Sequence, residues 1–298
     1  MNGIGGGRIT PELPTGMTSG GPRDGRARPA GKNQQKVSVW PTLWLYLVVT
    51  WLAAGGLKVL QPATHLSMQV LTITQFAPSI AVLAVLATHR GAALRIWQGP
   101  AVATLRRIAV GVGVLAGVFG LCLAGLAVTG RAIQLTSPGS LGEPFWLIAV
   151  AQLVGACGEE LGWRSFLQPH LQQRYSPVVS ALIVGTLWGT WHVEYFSDGL
   201  LFVAIFVTMA VAISVILAEL TRGVSSLAVA GVFHWLLNLA ILLLLNFANG
   251  DLADVTALAA GFVLAAVVLW SWGRWGGREL YIRNAGETGS LSATGSGG

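Results

Sequence analysis

Residues 144–167 read PFWLIAVAQLVGACGEELGWRSFL, an apolar run that ends in two glutamates and an arginine. The run is long enough for a membrane helix, because about 20 residues cross the roughly 30 Å hydrocarbon core of a bilayer. The whole chain of 298 residues has 53% hydrophobic and 10% charged residues, and its mean hydropathy is +0.65. This composition excludes an ordinary soluble domain and predicts an integral membrane protein.

Apolar runs of similar length recur along the chain and predict an all-α, polytopic transmembrane helical bundle. We expect eight spans, at about 39–57, 69–88, 108–128, 144–167, 178–195, 200–220, 224–246 and 255–272. In the third span, Gly113 and Gly117 have the spacing of a helix-packing motif. Residues 1–38 are rich in Gly, Pro, Arg and Ser and predict a disordered basic tail. We expect a flexible tail over 274–298 as well, which leaves 39–273 as one membrane domain.

The Lys and Arg residues fall almost entirely on one side of this eight-span arrangement. Of the 18 such residues in the chain, only Lys58 and Arg131 lie on the other side. Cytoplasmic loops carry an excess of Lys and Arg, so we expect both termini to be cytoplasmic, in a multi-pass protein of a bacterial cytoplasmic membrane. The net charge of +6 is then a topology signal, and it predicts no nucleic-acid partner.

Ionisable residues inside predicted spans point to a function, because each costs at least about 2.5–3.5 kcal/mol at the bilayer centre. The fourth span carries Glu159, Glu160 and Arg164 on an uninterrupted helical pattern. Glu160 and Arg164 are four residues apart, which places them on one face of a helix. Without further residues, these three are as typical of an ion pair at a helix end as they are of a functional site.

Two more spans carry polar residues that bear on the same site. The fifth contains Trp188 and His192, and the seventh contains His234 and Asn238 on one helical face. Each of these residues alone is typical of packing or of a polar contact between helices. Together with the carboxylate pair, they satisfy one another only by converging inside the bundle. Hydrolysis needs such a cluster: a carboxylate as general base, a histidine that orients water, and donors for an oxyanion.

These residues resemble the three signatures of the CAAX protease and bacteriocin-processing family of intramembrane peptidases. The family motif EExxxR, the most specific of the three, matches residues 159–164. The second motif, an aromatic residue followed by xxxH, matches residues 188–192, with tryptophan where the family usually has phenylalanine. The third, HxxxN or HxxxD, matches residues 234–238. The resemblance covers about residues 140–245 and implies an eight-helix bundle with a polar interior cavity.

The resemblance also implies roles, catalytic for one group of residues and supporting for another. The catalytic residues are Glu159, His192, His234 and Asn238, and the supporting ones are Glu160, Arg164 and Trp188. The first two catalytic residues would activate a water molecule, and the last two would stabilise the tetrahedral oxyanion. The implied function is that of an intramembrane endopeptidase without a cofactor, acting on a peptide or membrane-protein substrate in the lipid bilayer.

Three alternatives remain open at this point. A zinc ion held by Glu159, His192 and His234 would also make a hydrolytic site, although the chain has no HExxH motif. The family includes members thought to act without hydrolysis, as scaffolds, immunity factors or chaperone-like partners. A transporter also places polar residues at membrane depth, but the two halves of this sequence show no paired repeat.

Overall fold

The computed structural model contains helices and no strands in the residues that it describes, which are 39–89, 92–96, 98–131, 133, 135–244 and 251–293. Side chains are described up to residue 273. In chain order the helices are α1 (Val39–Leu60), α2 (Ala77–Thr88), α3 (Ala101–Val128), α4 (Phe145–Gly162), α5 (Gln168–Leu171), α6 (Pro177–Trp191), α7 (Leu200–Leu220), α8 (Ser226–Leu244) and α9 (Leu252–Ala293). Short 3-10 helices lie in the connections, at Gln61–Thr64, Ile73–Phe76, Pro138–Ser140 and Val193–Asp198. The all-α prediction is confirmed.

Within the described residues, 6 helical stretches are long and apolar enough to cross a membrane. They are Trp40–Thr64, Ala101–Val128, Phe145–Leu171, Leu200–Leu220, Ser226–Leu244 and Leu252–Gly273. The second and fifth predicted spans correspond to shorter apolar helices, Ile73–Thr88 and Pro177–Trp191. At 1.5 Å per residue, α6 reaches about 22 Å, which is less than the hydrocarbon thickness. Every predicted span therefore contains a helix, and two of the helices are too short to cross alone.

The predictions about the two tails fall mostly where the structure gives no description. Residues 1–38 and 294–298, and the side chains of 274–293, lie outside the described residues. The disordered basic tail, the flexible C-terminal tail and the cytoplasmic orientation of both termini stay predictions.

Glycines on one face of α4 let its backbone approach the segment that leads into α2. A Cβ on Gly155 would lie 2.1 Å from Gln75 Oε1, and one on Gly162 would lie 2.3 Å from Pro78 Cβ. Gly158 faces the same segment, and its carbonyl oxygen accepts a hydrogen bond from the Ser79 hydroxyl. This contact holds the carboxylate end of α4 against the start of α2.

A second close contact joins α6 to α7. A Cβ on Gly185 would lie 2.5 Å from the Cα of Val211, and one on Gly189 would lie 2.9 Å from the Cα of Val207. The Gly113 and Gly117 pair differs, because a Cβ on either residue would meet no described atom within 4 Å. The helix contact predicted for that pair is therefore not made with the described part of the chain, and the α6–α7 contact was missed.

A π-helical turn, Trp163–Leu167, follows α4 where the sequence analysis predicts one uninterrupted helix. All five of its side chains are buried. The helical stretch still runs without a break from Phe145 to Leu171, in agreement with the predicted continuous helix, and the π-helical turn within it is a feature that the sequence analysis missed. Turns of this kind are frequent at functional sites, and Arg164 lies in this one.

Candidate active site

A buried ion pair holds three helical segments together in the candidate site. Arg164 Nη1 donates to Glu160 Oε1 at 2.9 Å, and both side chains are fully buried. His234 Nδ1, on α8, donates to the same oxygen at 2.8 Å. Arg164 Nη2 donates to the hydroxyl of Ser214, on α7, at 3.0 Å. Glu160 thus receives donors from its own helix and from α8, while Arg164 reaches α7.

Trp188 brings the first glutamate into the same cluster. Its indole Nε1 donates to Glu159 Oε2 at 2.8 Å, and Glu159 is 2% exposed. The guanidinium carbon of Arg164 lies 4.3 Å from the centre of the Trp188 ring, within the range of a cation–π interaction. The ring also meets His234 edge-on, with 5.3 Å between ring centroids. Tryptophan therefore supplies a hydrogen-bond donor that the family's usual phenylalanine lacks.

His192 caps the end of α6, one turn beyond Trp188. Its Nδ1 donates to the backbone oxygen of Trp188 at 2.8 Å. In the neutral ring this bond places the proton on Nδ1 and leaves a lone pair on Nε2. The rings of Trp191 and Phe206 lie edge-on to the imidazole, with centroids at 5.2 and 5.0 Å. His192 thus has a fixed ring and a nitrogen able to accept a proton.

Tyr195 also belongs to this site, and the sequence analysis missed it. Its ring stacks on that of His192 with 6.0 Å between centroids. The Tyr195 ring therefore forms an aromatic wall beside His192. Its position three residues after His192, about one helical turn, was the signal that could have indicated it.

Asn238 is positioned through a residue that the sequence analysis also missed. Its Nδ2 donates to Gln152 Oε1, on α4, at 3.1 Å. Gln152 Nε2 in turn donates to the backbone oxygens of Gln69 and Val70 at 3.1 and 3.3 Å. Gln152 lies two helical turns before Glu159, on the same face of α4, and this spacing could have indicated it.

The charged groups of the cluster are balanced only when one more positive charge is present. Glu159 and Glu160 carry two negative charges when ionised, and Arg164 carries one positive charge. His234, which is 4% exposed and bonded to Glu160, is placed to carry the balancing charge. Unbalanced charges are expensive in a buried site, so an imidazolium at this position lowers the cost of burying both carboxylates.

The zinc alternative requires three ligands around one ion. Among the residues whose side chains are described, no three His, Cys, Asp or Glu residues are grouped to hold a metal ion. Nδ1 of His192 and of His234 and one oxygen of Glu159 are bonded to protein groups. Zinc-ligating histidines also bond their second ring nitrogen in this way, so zinc binding and catalysis without a cofactor both stay predictions.

Comparison with known proteins agrees with the motif assignment. The sequence model of the family described as type II CAAX prenyl endopeptidase Rce1-like matches residues 141–240, which contain all three motifs. CAAX prenyl protease 2 of Methanococcus maripaludis is 26% identical to the chain over 149 residues, 46% of this chain and 54% of that protein. The chain thus spans about half the length of this curated relative. Residues 141–240 are thus similar to the type II CAAX prenyl endopeptidase family, in the part of the chain that carries the three motifs.

Proposed function

We propose that the protein is an intramembrane endopeptidase in which Glu159 and His192 activate the attacking water. The observation that carries the proposal is the position of Trp188 between them. Its indole N–H bonds to Glu159, and its backbone oxygen accepts from His192, so one residue fixes both groups. A general base and an orienting histidine held by one residue, through its indole N–H and its backbone oxygen, are preorganised for a water molecule.

Glu159 is the general base in this mechanism. One of its oxygens is occupied by the indole N–H, and the other is left for the water proton. Nε2 of His192 accepts a hydrogen bond from the other O–H of the water and orients the water oxygen toward the carbonyl carbon of the substrate. Attack forms a carbon–oxygen bond, moves the proton to Glu159 and shifts an electron pair onto the carbonyl oxygen. Collapse breaks the carbon–nitrogen bond, and Glu159 returns the proton to the leaving amine.

His234 and Asn238 stabilise the oxyanion. A protonated His234 uses Nδ1–H for Glu160 and retains Nε2–H as a donor. One hydrogen of the Asn238 amide bonds to Gln152, and the second is available to the oxyanion. Loss of one donor of this kind typically lowers the catalytic rate by about 10²–10³-fold. Glu160 holds His234 in place and favours its charged form, and Arg164 holds Glu160.

The substrate is a peptide or a membrane-protein segment, since the catalytic residues lie on helices of a membrane bundle. The name of the Methanococcus maripaludis relative specifies a prenyl protease, so prenylated peptides are the first substrates to test. A quenched fluorescent peptide library, with and without a prenyl group, covers both possibilities.

The test is cleavage of that library by detergent-purified protein, comparing wild type with Glu159→Ala and His234→Ala, each with and without a tight zinc chelator. We expect cleavage by wild type, its loss in both variants, and no effect of the chelator. Chelator inhibition that added zinc reverses would favour the metal alternative. A wild type that cleaves nothing, with variants that melt far below it, would favour a non-hydrolytic scaffold in which the polar cluster holds helices together.

A further inference from the structure

A polar cavity of about 190 Å³ lies at the helix ends beyond Arg164. Its lining includes Gln168 of α5, Gln172, and Thr221 just after α7. The remaining walls come from the start of α6, the start of α8 and the connection before α3. Helices α5 and α7 end here while α6 and α8 begin here, so the cavity sits at one face of the bundle, at the level where a membrane helix meets lipid headgroups.

The lining of this cavity is strongly cationic. Arg95, Arg164 and Arg222 all contribute to it, and none of its lining residues in the described part of the chain carries a carboxylate. Arg222 donates one hydrogen bond to Glu219 at 2.9 Å, but its side chain is 53% exposed and retains further N–H groups. Glu160 pairs with Arg164 and Glu219 with Arg222, and an anion in the cavity would be attracted to all three guanidinium groups.

Two buried polar atoms at the cavity have no hydrogen-bond partner among the described residues. They are Nε of Arg164, which is 1% exposed, and Oε1 of Gln168, which is 3% exposed. The oxygen and nitrogen of a glutamine amide are interchangeable by a flip, so Gln168 can present an NH₂ group here. Both residues line the cavity, and guanidinium and amide groups carry N–H donors that suit an acceptor-only ligand.

Size and position narrow the class of anion. The volume is below the roughly 300–1,000 Å³ of pockets for drug-sized ligands, so it fits a small oxyanion group. Guanidinium groups match the geometry of phosphate oxygens through paired N–H donors. The positive-inside pattern places this face on the cytoplasmic side, where anionic lipids collect and basic pockets between helices bind their headgroups.

We propose that this cavity binds the phosphate of an anionic lipid headgroup through Arg95, Arg164 and Arg222. The acyl chains lie along the apolar outer surface of the bundle. The proposal does not depend on peptidase activity, because binding is measured without cleavage. A protein that binds the lipid but cleaves no peptide would support this proposal and contradict the proposed function. A protein that cleaves peptides but does not bind the lipid would do the opposite.

The test is a thermal-shift titration of the full chain in dodecyl maltoside with dioctanoyl phosphatidylglycerol, dioctanoyl phosphatidylcholine or inorganic phosphate. We expect a saturable rise in melting temperature with phosphatidylglycerol. Arg95→Gln and Arg222→Gln should each weaken binding, and the double variant should weaken it by at least about tenfold. Both residues are exposed, so neither substitution is expected to prevent folding. Arg174→Gln is the matched control, an exposed arginine at the same face outside the cavity lining, and should bind within about twofold of wild type.

Three results would overturn the proposal. Equal weakening by Arg174→Gln would show general electrostatic attraction. Phosphate binding as tight as phosphatidylglycerol would assign the cavity to free phosphate instead of a lipid. A rise in melting temperature with a peptide that has a free C-terminal carboxylate, and none with phosphatidylglycerol, would assign the cavity to a peptide end.

Discussion

At the scale of single residues, Glu160 is the point where the buried charges meet. It accepts from Arg164 and from His234 through the same oxygen, at 2.9 and 2.8 Å. Buried pairs of this kind are costly to break, because removal of one partner leaves an uncompensated charge. The stability of the bundle and the protonation of His234 therefore depend on one carboxylate that does not itself take part in the proposed bond breaking.

Arg164→Met tests this dependence. We expect it to lower the free energy of unfolding by about 3–5 kcal/mol, because the buried carboxylate of Glu160 loses its arginine partner. The double variant Glu160→Gln/Arg164→Met should be more stable than Arg164→Met alone, since the unpaired charge is gone. Thermal unfolding in detergent measures both. A double variant less stable than the single one would contradict the account of this ion pair.

Trp188→Phe removes one hydrogen-bond donor and keeps an aromatic ring beneath Arg164. The buried Glu159 carboxylate then loses its donor, and we expect a loss of about 1.5–3 kcal/mol in the free energy of unfolding. Trp146→Phe, at a ring that is 69% exposed, is the control and should melt like wild type. If both variants melted alike, the indole N–H would not support Glu159.

The motif residues could be predicted from the sequence because ionisable groups inside apolar runs are conspicuous, as Glu159 and His234 are. Their partners could not. Gln152 and Ser214 are neutral, cost little in a membrane helix and occur in many spans without a role. Their importance depends on which helix lies opposite, and a single sequence does not give that arrangement.

At the scale of helices, close backbone approach places Trp188 and His192. The glycines of α6 face the backbone of α7, where a Cβ on Gly185 would lie 2.5 Å from Val211 Cα. The sequence indicates such contacts only through small residues at regular spacing. That signal was equally present at Gly113 and Gly117, which make no such contact with described residues.

Gly185→Ala should therefore force α6 and α7 apart. We expect a loss of about 1–3 kcal/mol in the free energy of unfolding, typical of overpacking against a rigid neighbour. Gly117→Ala is the matched control: its Cβ meets open space, so a gain of up to about 1 kcal/mol from helix propensity is expected. The measurement is the melting temperature of each variant in the same detergent. A lower melting temperature for Gly117→Ala as well would contradict the expectation that this position has open space around its Cβ.

At the scale of the whole molecule, hydrophobicity located every membrane helix but not the depth that each one reaches. The second predicted span begins in a connection, because Gln61 bonds to the backbone of Leu66, Leu71 and Ile73 and folds that segment before α2. A glutamine side chain sets this turn, and an average of hydropathy over 20 residues does not register it. Orientation rests on the Lys and Arg pattern alone.

Cysteine labelling tests that orientation. Arg174→Cys and Asp198→Cys place exposed thiols at opposite ends of α6, and the wild type gives the background from buried Cys122 and half-buried Cys157. A membrane-impermeant maleimide added to right-side-out vesicles should label residue 198 and leave residue 174 unlabelled; inverted vesicles should give the opposite result. Labelling of residue 174 from outside would reverse the assignment of the cytoplasmic face.

The central claim is that Glu159 activates water in a buried site, and the cleavage rate of Glu159→Gln in lipid nanodiscs tests it most directly. The substitution keeps the side-chain shape and an acceptor for the Trp188 N–H, so the fold and melting temperature should be preserved. We expect the rate to fall by at least about 10²-fold, the lower end for loss of a general base. Glu194→Gln, an exposed glutamate two residues beyond His192, should cleave at the wild-type rate. Glu159→Gln cleaving as fast as Glu194→Gln would contradict the claim.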